Sequence, residues 1–303
     1  MNTWIKRSNP DNQLKKVMTR TLPAIALSVT SLINITTVKA NELEVEWQVN
    51  NFDQPESVVV NSATQAIYVS NINGQPTELN GKGYISKLSI KGEVLDKHWL
   101  ENLNAPKGMA IHNDFLYIAD MQQVHKVSIS QARVIKQYKV DQAKMLNDIT
   151  IADDGTVYIS DLLAGGIYRI ADDQIAPWFS HEQLPHPNGL LWQQGKLLVA
   201  SWGIGMNNDF TTQTAGSIYT LDIKTSDLAV LKGSEQLGNL DGLVLHNQAI
   251  YVSDWISGEL FKIQGNKNSK VLALKPGLAD IAGSGSLIFT PSMLDGQLTA
   301  WSL

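Results

Sequence analysis

One phrase recurs six times along this 303-residue chain, and it constrains the fold more than any other feature. Each copy has a residue, polar in all but the sixth and weakest copy, that opens a short apolar strand, then a turn, then a second strand of the type Tyr-Val-Ser-Asp. The copies recur at intervals of 38 to 53 residues, and a third strand follows each one. A period of about 40–45 residues with three or four strands per copy is typical of a β-propeller blade, so the sequence predicts six blades. The residues that open the copies, called anchors below, are Glu56, Lys107, Asn147, Asn188, Asp241 and Ala279.

The two ends of the repeat region predict how the ring closes. A propeller that does not close leaves a strand edge exposed. Only two residues follow Trp301, so the last copy lacks an outer strand, whereas residues 44–49 precede the first anchor and have no partner of their own. We therefore expect residues 44–49 to complete the sixth blade. Since no helical period appears after residue 40, the sequence predicts an all-β, six-bladed propeller that forms one domain over residues 41–303.

The first 40 residues differ from the rest of the chain. Five basic residues between positions 6 and 20 precede an apolar stretch over residues 21–38, and Val38-Lys39-Ala40 forms a signal-peptidase pattern. A membrane anchor is the alternative, but the stretch is short and contains several hydroxyl side chains. We expect residues 1–40 to be a cleaved signal peptide. The mature protein would then be periplasmic or secreted, with no stable membrane anchor.

Composition excludes several classes of function. The chain has no cysteine, so disulfides, iron–sulfur clusters and thiol nucleophiles are excluded. Six of the 24 Lys and Arg residues lie in the first 40 positions with one of the 29 Asp and Glu residues, so the mature chain would carry a net charge of −10. So acidic a chain is a poor candidate for binding nucleic acid. We expect a small-molecule substrate, and the sequence indicates no protein partner.

The anchors predict a cation site. The first strand of each propeller blade lines the central channel, so the six anchors should converge at one mouth. Four of them carry side-chain oxygens, namely Glu56, Asn147, Asn188 and Asp241. Two carboxylates and two amides suit Ca²⁺, which takes about 6–8 oxygen ligands, with Mg²⁺, Mn²⁺ and Zn²⁺ as the other candidates. The alternative is that Asn and Asp merely satisfy turn backbones before strands, in which case the channel holds no metal.

This pattern resembles the gluconolactonase/regucalcin (senescence marker protein) family of six-bladed propellers over essentially all of residues 45–303. In that family a divalent cation, usually calcium, is held by a Glu opening blade 1, an Asn-Asp in blade 3, an Asn-Gly in blade 4 and an Asp-Gly in blade 5. The matching positions here are Glu56, Asn147, Asn188 and Asp241. The resemblance implies a Ca²⁺-dependent hydrolase of lactones or related esters, in which the cation polarises the carbonyl and positions water.

Two acidic residues have expected roles in that reaction. Asp241 is the candidate catalytic residue, as general base or nucleophile, because a carboxylate on the cation already lies beside the polarised carbon. The alternative is that Asp241 is a ligand only. Asp148 is expected to orient the amide of Asn147 close to the substrate.

Three further residues are candidates for binding the substrate. Lys107 would bind a carboxylate or an oxyanion, or else form an ion pair with Glu56 or Asp241. His186 is a candidate proton shuttle, or else a solvated loop histidine. Trp202 would stack on a ring-shaped ligand, or else pack between blades like the equivalent Trp255.

Departures from the family pattern bear on the substrate. Gluconolactonase-type enzymes often carry an arginine two residues before the blade 3 Asn, where this chain has Met145, and residues 162–166 form a short turn in place of a long polar lid. Residues 71–82 and 203–214 are insertions after second strands, and we expect them to overhang the channel mouth. The rival hypothesis is a non-catalytic extracytoplasmic propeller that binds a ligand or serves as a scaffold, with a structural calcium.

Overall fold

The computed structural model describes residues 43–303, so the predicted signal peptide at residues 1–40 lies outside the described residues. All regular elements in this part of the chain are β-strands, which confirms the predicted all-β class. Between residues 43 and 303 no helix is long and apolar enough to cross a membrane. The strands form six four-stranded antiparallel sheets and one two-stranded sheet, and the four-stranded sheets are the six predicted blades.

Strand β1 (Glu44–Val49) belongs to the last blade, and the next twelve strands form blades 1 to 3 in chain order. Each of these three blades consists of four strands that are consecutive in sequence. Their bounds are β2 (Pro55–Asn61), β3 (Ala66–Asn71), β4 (Gly83–Ser89) and β5 (Val94–Leu103) in blade 1, β6 (Pro106–His112), β7 (Phe115–Asp120), β8 (Gln123–Ser128) and β9 (Arg133–Lys139) in blade 2, and β10 (Leu146–Ile151), β11 (Val157–Asp161), β12 (Gly166–Ala171) and β13 (Gln174–Phe179) in blade 3.

Blades 4 to 6 contain the remaining strands, with one insertion. The strands of blade 4 are β14 (Pro187–Gln193), β15 (Lys196–Ser201), β18 (Ile218–Asp222) and β19 (Leu228–Val230), and the inserted hairpin is β16 (Gly203–Met206) and β17 (Thr212–Ala215). Those of blade 5 are β20 (Leu240–His246), β21 (Ala249–Asp254), β22 (Glu259–Gln264) and β23 (Lys267–Ala273), and blade 6 has β24 (Ala282–Ser284), β25 (Leu287–Ser292) and β26 (Gln297–Ser302).

The ring closes as the sequence predicts. β1 pairs antiparallel with β26, so that Glu44 lies opposite Ser302 and Val49 lies opposite Leu298. The sixth blade therefore takes one strand from the start and three strands from the end of the described chain. This pairing covers the edge that β26 would otherwise expose.

The hydrophobic core lies between blades and leaves the channel free for polar residues. Six apolar clusters each join two neighbouring blades, for example through Tyr68 and Ile118 between blades 1 and 2, and through Ile67 and Phe289 between blades 1 and 6. Because both faces of a blade are covered by its neighbours, the second strand of blade 1 is buried at all six positions. The alternating β-branched and aromatic residues of the repeat thus pack on both faces of each sheet.

A β-bulge places the anchors on the channel. In blades 1 to 5 the pairing of the first strand with the second shifts register at the anchor. A bulge leaves backbone groups outside the ladder and re-aims the side chain at that position. In three blades a serine of the second strand accepts the backbone N–H that follows the anchor, at 2.9 Å in each case. The acceptors are Ser70 for Ser57, Ser160 for Asp148 and Ser253 for Gly242.

In blades 1 to 3 the loop before the anchor is fixed by the residue that ends the second strand of the same blade. In blade 3 the buried carboxylate of Asp161 accepts the backbone N–H groups of Lys144 and Met145, and also that of Ala164. In blade 2 Asp120 accepts those of Asn104 and Ala105, and in blade 1 the amide oxygen of Asn71 accepts that of Asp53. Since these loops lead directly into the first strands, the bonds fix where the anchors begin.

We expect Asp161→Ala to destabilise the protein by about 2–4 kcal/mol, because it leaves backbone N–H groups of the loop without an acceptor. Urea denaturation measures the change in the free energy of unfolding. Asp153→Ala in the exposed turn of the same blade is the matched control, with an expected change within about 0.5 kcal/mol. Equal losses in the two variants would contradict the role given to Asp161.

Candidate functional site

The anchors converge on one cavity of about 460 Å³, its open mouth included. Glu56, Lys107, Asn147 and Asp241 line it, and they come from blades 1, 2, 3 and 5. Asn188 of blade 4 is fully buried beside them and donates a hydrogen bond of 3.0 Å from Nδ2 to Oδ1 of Asp241. The structure thus brings the four predicted cation ligands and Lys107 together. These five residues are called the polar floor below.

Two oxygens of the polar floor fit a bound cation. Nδ2 of Asn188 donates to Asp241 and to the backbone oxygen of Leu240 at 3.1 Å, and this orientation follows because both neighbours are acceptors. Oδ1 of Asn188 is therefore left over, and it has no hydrogen-bond partner within residues 43–303. The same is true of Oε2 of Glu56. A buried oxygen without a partner is costly, so an amide and a carboxylate oxygen in this state fit a hard cation such as Ca²⁺.

The charges of the floor fit a cation as well. Burial raises the pKa of Glu56 well above its ordinary range, and the charge of Asp241 raises it further. Burial and the charge of Asp280 also raise the pKa of Asp241. Within residues 43–303 no group of three or more His, Asp and Glu side chains is placed to hold a metal ion. A cation at this site would therefore need the amide oxygens of Asn147 and Asn188 in addition to two carboxylates.

Lys107 contributes the single cationic side chain among the described residues that line the cavity. Its side chain is 1% exposed, and Nζ donates to the backbone oxygen of Ala105 at 2.8 Å and lies 3.5 Å from Sδ of Met121. None of the ion pairs within 4.0 Å in the described part of the chain includes it, so the predicted ion pair with Glu56 or Asp241 is not formed. Burial lowers the pKa of Lys107 to about 8.

Asp148 directly follows Asn147 but does not line this cavity, and it lines instead the part of the channel that the following residues of the first strands form. Its carboxylate accepts the backbone N–H groups of Ile149 and Leu190, each at 2.6 Å, and the second bond joins blade 3 to blade 4. These bonds occupy both carboxylate oxygens. The carboxylate therefore binds backbone N–H groups, and the expected orientation of the Asn147 amide by Asp148 is not seen. Substrate binding by Asp148 stays a prediction.

Asp280 is a buried channel carboxylate that the sequence reasoning missed. It follows the sixth anchor as Asp148 follows the third, and it accepts a hydrogen bond from Oγ of Ser57 in blade 1. Burial raises the pKa of Asp280 to about 7. The sequence signal for such an aspartate was the glycine that follows the anchor of the preceding blade, because it leaves room for the carboxylate. A Cβ added at Gly108 would lie 2.3 Å from Oδ1 of Asp148, and one added at Gly242 would lie 2.4 Å from Oδ1 of Asp280.

His186 and Trp202 differ in their relation to the cavity. Half-buried His186 donates from Nδ1 to the backbone oxygen of Leu162 at 2.9 Å and is not one of the lining residues, so a proton-shuttle role stays a prediction. Trp202 does line the cavity, and its Nε1 donates to the backbone oxygen of Phe210 at 2.7 Å. Its ring centroid lies 6.2 Å from that of Trp255, which also lines the cavity.

Both predicted insertions reach the cavity. Pro76 from the blade 1 insertion and Phe210 from the β16–β17 hairpin line it. Trp202 and Phe210 also belong to an apolar cluster at the mouth, with their ring centroids 6.5 Å apart. The insertions therefore extend the wall of the cavity outward.

An apolar ring surrounds the mouth, and only its two tryptophans were noticed in the sequence. In every blade the residue directly after the second strand is large and apolar, and all six belong to the same cluster. The repeat itself contains this signal, because the position after the last residue of each second strand can be compared across the six copies. These residues, called the apolar collar below, are Ile72, Met121, Leu162, Trp202, Trp255 and Met293.

Solved structures share the fold at low sequence identity. No family model matches the sequence, and no curated protein is significantly similar to it. A gluconolactonase from Xanthomonas campestris has a TM-score of 0.65 at 14% identity, covering 87% of this chain and 95% of its own. A catalytically inactive variant of virginiamycin B lyase from Staphylococcus aureus, solved with quinupristin, has a TM-score of 0.57 at 13% identity, covering 86% and 100%. A chain of a nidogen/laminin complex has a TM-score of 0.58 at 16% identity, covering 70% and 82%.

These similarities establish the propeller fold. Gluconolactonases are among the structural neighbours, as the sequence resemblance predicts. A lyase and a chain from a protein–protein complex are neighbours too, so the fold by itself does not decide the chemistry. The side chains of the cavity have to carry any functional conclusion.

We expect Lys107→Met to remove a pH dependence of stability. Burial lowers the pKa of Lys107 from 10.5 to about 8, so the unfolded chain binds more protons than the folded protein between these pH values. The stability of the wild type should therefore rise with pH over this range, by about 3 kcal/mol more than that of the variant. Urea denaturation at pH 8 and pH 10.5 measures this difference. A variant of the exposed Lys91, Lys91→Met, should keep the wild-type slope, and a wild-type slope in Lys107→Met would contradict the burial effect.

Proposed function

We propose that this chain is a divalent-cation-dependent hydrolase of lactones or related esters, with Ca²⁺ as the first candidate cation. Glu56, Asn147, Asn188 and Asp241 would hold the cation. When bound, it would supply a positive charge that polarises the substrate carbonyl. One observation carries this proposal: a buried oxygen of Glu56 and one of Asn188 have no hydrogen-bond partner in the described part of the chain, and both residues belong to the predicted ligand set. Action outside the cytoplasm, after removal of residues 1–40, is part of the same proposal.

Two residues of the polar floor would have separate roles in the reaction. Asp241 would act as the general base that takes a proton from the attacking water. Its carboxylate lies in the cavity wall, and the hydrogen bond from Asn188 goes to Oδ1 and leaves Oδ2 for the water. Lys107 would stabilise negative charge that develops on the carbonyl oxygen, because its ammonium is held in place by Ala105 and is shielded from water. The neighbouring gluconolactonases support this reaction class.

A second candidate is a propeller that binds a ligand without chemistry and uses the cation to brace the channel. The neighbour from a nidogen/laminin complex favours it, since that propeller is part of a protein–protein complex. The two candidates predict the same cation binding and differ in turnover. Stabilisation by Ca²⁺ without hydrolysis of any lactone or ester would favour the second.

Cation binding should be visible as stabilisation. After EDTA treatment, we expect added Ca²⁺ to raise the unfolding midpoint of residues 41–303, because a ligand at 100 times its dissociation constant adds about 2.7 kcal/mol to stability. Differential scanning calorimetry measures the midpoint. In Asn188→Ala the rise should disappear, whereas Asn268→Ala on an exposed outer strand should keep it. No rise in the wild type would remove the cation from the proposal.

Asp241→Asn separates a base from a ligand. The amide keeps an oxygen for the cation but cannot take a proton, so as a base its loss should lower kcat about 10²–10⁴-fold while Ca²⁺ affinity changes little. Steady-state kinetics on a lactone, together with a Ca²⁺ titration by calorimetry, measures both quantities. If excess Ca²⁺ restored wild-type kcat, Asp241 would be a ligand only.

A further inference from the structure

We infer that the substrate has an apolar body, an alkyl or aromatic chain attached to the lactone or ester, and that it is not a polyhydroxylated sugar lactone. This inference rests on the proposed function. Its first support is the distribution of polarity in the cavity. The polar lining residues are all anchors of the floor, and the other lining residues are apolar.

The apolar collar is the second support. It takes one residue from each blade at the same position of the repeat, so a continuous apolar ring stands between the polar floor and solvent. Five of its six residues, all but Met121, line the cavity together with the polar floor. A molecule that enters the floor from this mouth would therefore lie against collar side chains. Three methionines near the floor, Met121, Met145 and Met293, have flexible side chains that adapt to the shape of a ligand.

The wall above the polar floor offers few polar groups to a sugar. Its side-chain donors are the indole N–H groups of Trp202 and Trp255, and that of Trp202 is already bound to the backbone oxygen of Phe210 at 2.7 Å. The position two residues before the blade 3 anchor is the buried side chain of Met145, which offers no hydrogen-bond donor. The several hydroxyl groups of a sugar lactone placed against this wall would lose more bonds to water than the wall replaces. An alkyl chain would lose nothing and would gain by leaving water.

The two insertions continue the apolar wall beyond the collar. Pro76 and Phe210 both line the cavity, although each belongs to a loop outside the blades. The reactive carbonyl would lie at the floor, and the chain would extend through the collar toward these two residues. The wall thus selects for the length of the chain, and Phe210 acts at its outer part.

A homologous series tests this inference. We would measure kcat/KM in the presence of Ca²⁺ for γ-butyrolactone, γ-hexalactone, γ-octalactone and γ-decalactone, with glucono-δ-lactone as the polar comparison. We expect kcat/KM to rise by up to about fourfold per methylene, because burying one methylene contributes about 0.8 kcal/mol. Glucono-δ-lactone should be the poorest substrate of the set. A flat series, or a preference for glucono-δ-lactone, would overturn the inference while leaving the hydrolase proposal intact.

A binding measurement separates the two proposals. Calorimetric titration with 3-alkylcyclopentanones, which keep the ring, the carbonyl and the position of the chain but cannot be hydrolysed, should show the same rise in affinity with chain length. If no lactone is hydrolysed but the ketones bind in this order, the hydrolase proposal fails and the apolar site stands. Ketone binding that does not depend on chain length would overturn the apolar site.

Two variants of the inserted hairpin give the matched control. Phe210→Ser should lower the gain per methylene for the longest chains, in both kcat/KM and ketone affinity. Ile204→Ser changes a residue of the same hairpin that is 55% exposed and does not line the cavity, and it should keep the wild-type series. An equal effect of the two variants would contradict a wall formed by Phe210.

Discussion

The hydrogen bonds between the end of the second strand and the loop before the first strand position the candidate site. Asp120 and Asp161 accept backbone N–H groups from the loops that lead into β6 and β10, and those strands carry Lys107 and Asn147. A bulge at each anchor then removes it from the regular ladder. The cavity is therefore built from backbone geometry, repeated blade by blade, and the identity of each anchor side chain is free to vary. This explains how one ring can present a carboxylate, an ammonium and an amide at equivalent positions.

Charge is the main cost of this arrangement. Glu56 and Asp241 are buried close enough to raise each other's energy, and Asp280 adds to the repulsion on both. Lys107 offsets part of it at Glu56 but pairs with no carboxylate within 4.0 Å in the described ring. Groups of like charge held together in a low-polarity environment are typical of sites that bind a counter-charge. The buried charges of the polar floor destabilise the folded protein, and the six apolar clusters between blades stabilise it.

Most of the fold and part of the site could be predicted from the sequence. The repeat specified six blades, and the unmatched segment at residues 44–49 specified the closing strand, because strand period and edge pairing are local or near-local properties. Convergence of the anchors followed from the same repeat. The hydrogen bonds from Leu190 to Asp148 and from Ser57 to Asp280 could not be predicted, since both depend on contacts between blades. The distance of Lys107 from the carboxylates likewise depends on how its chain folds back to Ala105.

The closing pair of strands also decides how the ring responds to force. Glu44 lies opposite Ser302 at one end of the antiparallel ladder between β1 and β26, and the two residues are 258 positions apart in the chain. A pull applied to these two residues would load the ladder from that end, so its hydrogen bonds would break one after another instead of all together. The pairing between β1 and β26 would then separate at low force, while the hairpins within the other blades would still be folded.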